Sequence, residues 1–548
     1  MARASSGGTH TLMVPSDTAA APGVSIRSFW WSLAGLALLL GFSLLTFSPL
    51  VADPDLWGHV RFGQDLWKAG QIVRPDVYSY LTRGQPWINH EWLAEAIYAW
   101  LYTGVGTSGL ITFNIVLSLG IVGLIYWHLL RRGVAPAVAA WFVAFFALPL
   151  RPGVLNVRPQ VFTYLLFLLI LLVIDAAERG SLGWLWAVPP IIALWANLHG
   201  GVLAGLGIYL LWGAAHLVAA LGSQRRFTIL LERPQPAIIA TMIAGCLALL
   251  FNPYGAGLVT FLLRTATVPR PEITDWKPIT ITGAWGQLYL VALLFMLLGL
   301  LFSRRERRPA LVVVSACAAI LPLFAVRHTP LFAIAAPLLV GEHMADAAAR
   351  LLSRRPFAGL ASAGSRALVA VCGVVGDRWG LLIAFVAALV MAGAAIPRLS
   401  GIPVDPSVAD FPARAVGVMK ASGVAGNMAT EFNWGEYVLW HLGPQIRVSI
   451  DGRRETIYSD AIYRENLDFM HGRGQWDRLV DRAETQLALV HRHRPVFDLM
   501  KQKPGWILVY QDALCALFAR EGSPSLAQIR QSPVPDLPAD GGGLSFPQ

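Results

Sequence analysis

Long apolar runs separated by short polar connectors dominate the chain from residue 29 to residue 397. Read against their flanks, they predict spans at 29–51, 108–130, 134–150, 159–176, 183–197, 201–221, 236–251, 284–302, 309–326, 329–345 and 378–396, about eleven transmembrane helices. Such runs approach the roughly 20 residues that carry a helix across a hydrocarbon core of about 30 Å. The first, Phe29 to Ala52, is too long for a signal-peptide core. It leads into Asp53-Pro-Asp55 rather than a small-residue cleavage site, so it reads as an uncleaved span. Residues 1–28, rich in Ser, Thr, Ala and Gly, read as a disordered N-terminus.

The pattern changes twice. In the loop 52–106, longer than a connector requires, Leu56, Val60, Gly63 and Trp67 recur at helical spacing, as do Leu93, Ile97, Trp100 and Leu101. Two amphipathic helices lying on the outer leaflet, with tryptophans at headgroup level, are the expectation. Beyond Pro397, strand-like runs at 447–450, 487–490, 506–510 and 514–518 alternate with helical stretches at 413–420 and 461–470. They predict a compact α/β domain over 400–520 and a flexible tail over 521–548. The expected fold class is an α-helical polytopic membrane protein with a C-terminal extracytoplasmic α/β domain.

Composition agrees. Hydrophobic residues make up 55% of the chain and charged ones 14%, with a mean hydropathy of +0.54, against about a quarter charged in soluble domains. The net charge of +10 does not mark a nucleic-acid partner, because many arginines cluster at the ends of apolar runs. With a cytoplasmic N-terminus the inner loops receive Arg131 and Arg132, Arg179, Arg225, Arg226 and Arg233, Arg304 to Arg308, and Arg350, Arg354, Arg355 and Arg366. That is the positive-inside pattern. It sends outward the segments 53–106, 151–158, 197–200, 252–283, 327–328 and everything after Pro397, which hold the unusual polar motifs. Cys246 and Cys317 lie in apolar runs, Cys372 at the edge of one and Cys515 alone, so no disulfide framework is implied.

Asp53 and Asp55 directly follow the first span. A carboxylate there suits a base that takes a proton from an attacking acceptor, or a ligand for a divalent cation such as Mg or Mn; an N-cap is the simpler alternative. His59, four residues beyond Asp55, shares its helical face and fits an Asp/His pair, a metal site or a surface histidine. In Asn89-His90-Glu91-Trp92, Asn89 is a plausible N-cap, and Glu91 and Glu95 share a face opposite Leu93, Ile97 and Trp100. Asp53, Asp55, His59 and Glu91 form the candidate metal set, with solvated charges as the alternative. Arg158 and Arg327, each beside a polar neighbour in Gln160 and His328, suit a phosphate at the outer membrane surface, or else snorkel to headgroups. Asn197 and His199 end an apolar span and point to a cavity or to helix packing. Asn252-Pro-Tyr254 reads as a turn that ends a span, with Glu272, Asp275 and Trp276 as weaker candidates in the loop after it. In the tail, Asn433-Trp-Gly435-Glu436-Tyr437 precedes a helical run, and Asp451 and Arg453 are acceptor-side candidates or a salt-linked turn.

Asp53-Pro-Asp55-Leu-Trp57-Gly-His59, followed by Gly84-Gln-Pro-Trp87-Ile-Asn89-His90-Glu91-Trp92-Leu, resembles a group of bacterial membrane proteins placed in the GT-C glycosyltransferase superfamily. Arg158-Pro-Gln, Asn252-Pro-Tyr-Gly, Arg327-His and Ser449-Ile-Asp451-Gly-Arg fit the same group, so the likeness runs from about residue 29 to 520. More distantly the first-loop aspartate resembles that of the oligosaccharyltransferase catalytic subunit, the protein O-mannosyltransferases and the aminoarabinose transferases. The resemblance implies a bacterial inner-membrane enzyme that takes a sugar from a polyprenyl-linked donor to an extracytoplasmic acceptor, with Asp53 or Asp55 as base or metal ligand. It does not extend to N-linked protein glycosylation, because no Trp-Trp-Asp motif is present. Rival readings are a flippase for a lipid-linked intermediate, which calls for charges within several spans and paired halves, and a non-catalytic scaffold with a dispensable first loop.

Overall fold

The computed structural model describes residues 26–224, 228, 231–232, 234–268, 270, 273–353, 378–407, 409–531 and 544–547. Most of the expected disordered N-terminus and residues 532–543 and 548 of the expected tail lie outside the described residues, as do Arg225, Arg226, Arg233, Glu272, Arg354, Arg355, Arg366 and Cys372; the rest of the expected tail includes a helix and a short strand.

The helical part opens with α1 (Ile26–Phe47), the outer-loop helices α2 (Leu56–Ala69) and α3 (Trp92–Val105), then α4 (Thr107–Arg131), α5 (Pro136–Val154) and α6 (Gln160–Glu178). It continues through α7 (Val188–Ala196), α8 (Val202–Gln224), α9 (Gln235–Ala248), α10 (Ala256–Thr267), α11 (Ala284–Phe302), α12 (Pro309–Ile320) and α13 (Thr329–Ser353) to α14 (Arg378–Leu399). Eight helices among the described residues are long and apolar enough to cross a membrane, which makes this an integral membrane protein. Three of the eleven expected spans, 183–197, 236–251 and 309–326, instead fall on the shorter apolar helices Leu182–Ala196, Gln235–Ala248 and Pro309–Leu323. Prolines at 189, 190, 236 and 322 sit at the starts of helical segments there and break the runs. Helix α6 is central: 72% of its apolar window is buried by other helices, against 17% for α14.

The arginines of the presumed inner loops do gather at one end of the bundle. Asp175, near the C-terminus of α6, pairs with Arg132 and Arg179, and Glu342 of α13 pairs with Arg179 and Arg305 at 2.9 Å each. Arg158 precedes the opposite end of the same helix.

In the C-terminal part, β1 (Ile402–Pro403), α15 (Ala413–Ser422), β2 (Gly426–Ala429), α16 (Gly435–Leu442), β3 (Ile446–Val448), α17 (Arg454–Ile457) and α18 (Asp460–His471) lead to α19 (Arg478–Asp481). Then come β4 (Leu487–His491), α20 (Pro495–Gln502), β5 (Trp506–Gln511), β6 (Cys515–Arg520), α21 (Pro524–Gln531) and β7 (Ser545–Phe546). Five strands form a mixed sheet in the order β3-β2-β4-β6-β5, with β2 parallel to both neighbours and β6 antiparallel to both of its own. Parallel β2 needs helical crossovers, which α16 and the α17 to α19 run supply. Four strands coincide with sequence expectation; Gly426–Ala429 does not announce itself, because Gly-Asn-Met-Ala offers no β-branched residue.

The outer loop is stitched to this sheet. Ser79 pairs in parallel with Val448 of β3, Val448 N–H donates to Tyr78 O and Tyr80 N–H donates to Val448 O. Helices α2 and α3 pack on each other so closely that a Cβ on Gly63 would lie 2.0 Å from Glu95 O. Trp57 is fully buried against Phe411, Tyr437 and Phe546. Protein therefore covers much of the apolar stripe of α2 that was expected to lie on lipid, while Trp67 and Trp100 remain 58% and 65% exposed. The carboxylate face of α3 is likewise turned inward rather than solvated: Glu95 is buried.

Candidate functional site

The Asp53-Pro-Asp55 segment builds its own turn: the Asp53 carboxylate accepts the Asp55 N–H at 3.0 Å, and α2 starts on the next residue. Asp53 is buried and faces Arg158, whose guanidinium also reaches Asp55 at 3.3 Å and Asp275 at 3.4 Å. Asn156 donates to Asp53 as well, at 3.4 Å. Asp55, by contrast, opens onto a cavity of about 1370 Å³ between the helix ends, the outer loop and the C-terminal part. Burial, reinforced by the negative charge of Asp53 and opposed by Arg158, lifts its carboxyl to about 6. Burial disfavours charge on Arg158, but Asp53, Asp55 and Asp275 outweigh it and hold the guanidinium above its ordinary range.

Beside Asp55 lies a cluster centred on Glu91. Its carboxylate is 3.9 Å from His59 Nδ1, 3.7 Å from His90 Nε2 and 3.5 Å from His199 Nε2. His59 Nδ1 also lies 3.7 Å from Glu95, which accepts a hydrogen bond from Asn89 Nδ2 at 2.5 Å. Burial pushes Glu91 up to about 7 and His90 down to about 4, and holds His199 well below the histidine range. His59 goes the other way: burial opposes its charge, but the hydrogen bond to Glu95 and the carboxylates of Glu91 and Asp55 raise it. The Gly201 N–H donates to His199 Nδ1 at 3.0 Å, so a neutral His199 keeps its proton on Nε2, toward Glu91.

His59, Glu91 and Glu95 can each offer one ligand atom, all within 4.8 Å of one another. Nitrogen and carboxylate donors in that number suit a divalent transition ion such as Mn, and less well Mg, which prefers oxygen. Of the expected metal set Asp53, Asp55, His59 and Glu91, this group contains His59 and Glu91, joined by Glu95; Asp53 faces Arg158 and Asp55 is outside the group.

By chain segment the lining falls into two parts. The part contributed by the membrane helices and their outer connections, here the lower arm, includes Leu203, Phe261, Leu262, Trp276 and Trp285 together with Gln160, Arg327 and His328. Arg327 lies over the Trp276 ring at 4.6 Å and has no ion pair among the described residues. The upper arm is lined by the C-terminal part and contains Glu436, which sequence reasoning passed over although it noted the segment around it. Glu436 is 4% exposed, its Oε2 has no hydrogen-bond partner, and burial with the neighbouring Asp55 and Asp451 lifts it well above the carboxyl range. Glycines make its niche: a Cβ on Gly58 would overlap the Glu436 carboxyl at 2.0 Å. Only the acid itself within Asn433-Trp-Gly-Glu436 could have signalled this.

Two candidates show the packing alternatives read from the sequence. Asn197 donates to Ala193 O and Phe251 O at 2.8 Å and accepts from Trp92 Nε1 at 3.0 Å, as a helix-packing residue does. Asp451 and Arg453 form the salt-linked alternative, a buried network in which Arg453 donates to Asp451 at 2.7 and 2.9 Å and to Asp76 at 2.8 Å.

No protein-family model and no curated protein sequence matches this chain. Solved structures do. The oligosaccharyltransferase of Archaeoglobus fulgidus, tethered with an acceptor peptide containing the NVT sequon, aligns at a TM-score of 0.53 and 11% identity over 84% of this chain and 69% of that one. ArnT from Cupriavidus metallidurans, bound to undecaprenyl phosphate, aligns at 0.53 and 12% identity over 90% of this chain and 98% of that one. With its membrane helices, inward-facing outer loop and C-terminal sheet, the chain shares the fold of these two enzymes.

Proposed function

We propose that this protein is a membrane glycosyltransferase that moves a sugar from a polyprenyl-phosphate or diphosphate donor to an extracytoplasmic acceptor. The observation that carries the reading is one cavity in which the lower arm, with its apolar residues and the cation Arg327, meets the carboxyl groups of Asp55, Glu91 and Glu436. Its likeness in fold to ArnT bound to undecaprenyl phosphate supports the donor class. The N-terminus is cytoplasmic and the site extracytoplasmic in the inner membrane, an orientation favoured by the arginines at the far end of α6. A membrane domain over 29–397 and an α/β domain over 400–520 share the site.

In this reading the lipid tail occupies the lower arm and its phosphate faces Arg327, because Arg158 is already matched by three carboxylates. An acceptor hydroxyl attacks the anomeric carbon as the bond from that carbon to the phosphate oxygen breaks. Asp55 takes the hydroxyl proton, and the electron pair leaves on the phosphate oxygen toward Arg327. His59, Glu91 and Glu95 would hold a divalent cation, which would neutralise phosphate charge. His90 and His199, uncharged, keep Glu91 oriented.

The test is titration of the purified protein in nanodiscs with undecaprenyl phosphate, followed by tryptophan fluorescence since Trp276 touches Arg327. Binding is expected, and Arg327→Ala is expected to weaken it about tenfold or more, in line with the loss of a charge-assisted hydrogen bond. A protein that ignores the lipid, or binds it equally without Arg327, refutes the donor assignment.

A further inference from the structure

The upper arm of the cavity has a composition the proposed sugar transfer leaves unexplained. Four arginines line it, Arg454, Arg464, Arg473 and Arg494, against the carboxylates of Glu431 and Asp468. Arg453, which also reaches this wall, is neutralised by Asp451 and Asp76 and does not count. Arg494 lies 3.4 Å from Glu431, and Arg454 lies 3.3 Å from Asp460 while stacking on Tyr463 at 3.6 Å. Arg464 and Arg473 are exposed and have no ion pair among the described residues. The Nε of Arg454 is buried without a hydrogen-bond partner.

The chain builds this wall deliberately enough to be read. Ser459 caps α18, its hydroxyl accepting the Ile462 N–H, and Gly472 ends the helix in the left-handed region at φ 63°. Within those bounds Arg464, Asp468 and His471 fall at helical spacing on the face that lines the cavity, and Arg473 follows the turn. Arg473 and Arg494 both stand close enough to His471 to oppose its protonation, after burial. Cations so arranged repel one another unless an anion comes between them. Phe432 and Asn433, in the turn that leads into α16 and Glu436, line the cavity as well, with Phe432 against the Tyr463 ring at 5.8 Å.

We infer that this arm binds an acidic saccharide, a glycan segment bearing phosphate or carboxylate groups, and so sets the acceptor class of the transferase proposed above, on which the inference rests. The anionic groups lie along Arg464, Arg473 and Arg454, and the ring that carries the attacking hydroxyl lies over Phe432, leading to Asp55. An acidic peptide would satisfy the arginines equally but has no sugar hydroxyl to present to a base.

The test uses the full-length protein in nanodiscs of neutral lipid and two fluorescent probes, pentagalacturonate and the uncharged maltopentaose. Pentagalacturonate is expected to bind, at least tenfold more tightly than maltopentaose and more weakly as salt rises. Arg464→Ser with Arg473→Ser, both exposed and so neutral to folding, is expected to lower that affinity at least tenfold. Equal binding of the two probes, or an unchanged double variant, overturns the inference. So does displacement of the probe by an acidic peptide or by short-chain phosphatidylglycerol at equal charge concentration, which assigns the arm to those anions. Undecaprenyl phosphate titrated into the same samples separates the two readings. Lipid binding without saccharide discrimination sinks only the acidic acceptor, whereas saccharide discrimination without lipid binding sinks only the lipid donor.

Discussion

A carboxyl oxygen of Asp55 and one of Glu436 converge on Gly452, 2.5 and 2.6 Å from where a side-chain carbon would sit. One acid belongs to the first outer loop and the other to the C-terminal part, so the centre exists only when the two are docked. Burial raises both, Asp55 to about 6 and Glu436 well above the carboxyl range, and their proximity adds to the shift of Glu436. Ionisation of Glu436 is thus disfavoured by burial and by its acidic neighbours, which leaves Asp55 as the proposed base. Glu436→Gln, which keeps the shape of the neutral acid, should retain transfer within about threefold, whereas Asp55→Asn should reduce it about 10²- to 10⁴-fold. Turnover with a polyprenyl-phosphate sugar measures both; the opposite ranking would make Glu436 the base.

Gly58→Ala tests the niche itself. The added methyl would meet the Glu436 carboxyl at 2.0 Å, so the acid must leave the cavity wall or α2 must shift. A loss of about 1–3 kcal/mol in stability is expected from overpacking, with at least tenfold lower turnover. In a Glu436→Ala background the same methyl has space, and its stability cost should largely vanish. Thermal unfolding of the four proteins of this cycle decides it; additive costs would mean that the two side chains do not meet.

How much of this the sequence disclosed depends on the range of the interaction. Span positions and the inner arginine clusters are legible because hydropathy and charge act locally, and helical spacing alone finds α2, α3, α15 and α18. Asp55, His59, Glu91 and Arg327 could be named because each stands out against apolar or turn-forming neighbours. What they do with one another could not: Arg158 reads as a phosphate ligand until Asp53, Asp55 and Asp275 are seen around it. Asn197 reads equally as a cavity residue or a packing residue until Trp92 and Phe251 are seen against its amide. The stripe of α2 reads as lipid-facing because the sequence cannot say that α3 and α16 cover it. In each case the deciding partner lies far along the chain.

The state of Asp55 fixes a pH dependence. Its folded pKa of about 6 stands above the ordinary 3.8, and the base must be ionised, so transfer should rise with pH through about 6 and level off above it. Arg158 lies 3.3 Å from Asp55 and lowers that pKa. Arg158→Gln should then move the rising limb upward by about one pH unit or more. The profile of kcat/KM for wild type and variant measures the shift; a limb that stays in place would detach it from Asp55.

Arg453 holds the docking together. Its guanidinium is boxed by the rings of Phe62, Tyr78 and Trp87 at 4.8 to 5.3 Å and bonded to Asp76 of the outer loop and Asp451 after β3. Trp87 Nε1 also donates to Thr456 at 3.2 Å, so the loop reaches the C-terminal part by several short contacts. Arg453→Met would leave two carboxylates buried without a counter-charge, at a cost of about 3–5 kcal/mol. The expected results are a lower unfolding temperature and faster proteolysis within residues 70–88. Adding Asp76→Asn removes one of the stranded charges and should recover part of the loss, while Arg453→Lys, which keeps the charge but cannot span both acids, should fall between. Because α2 and α3 hang from this loop, turnover should fall with protection of 70–88 across the series. Variants that lose protection yet turn over at the wild-type rate would show that the site assembles without the clamp.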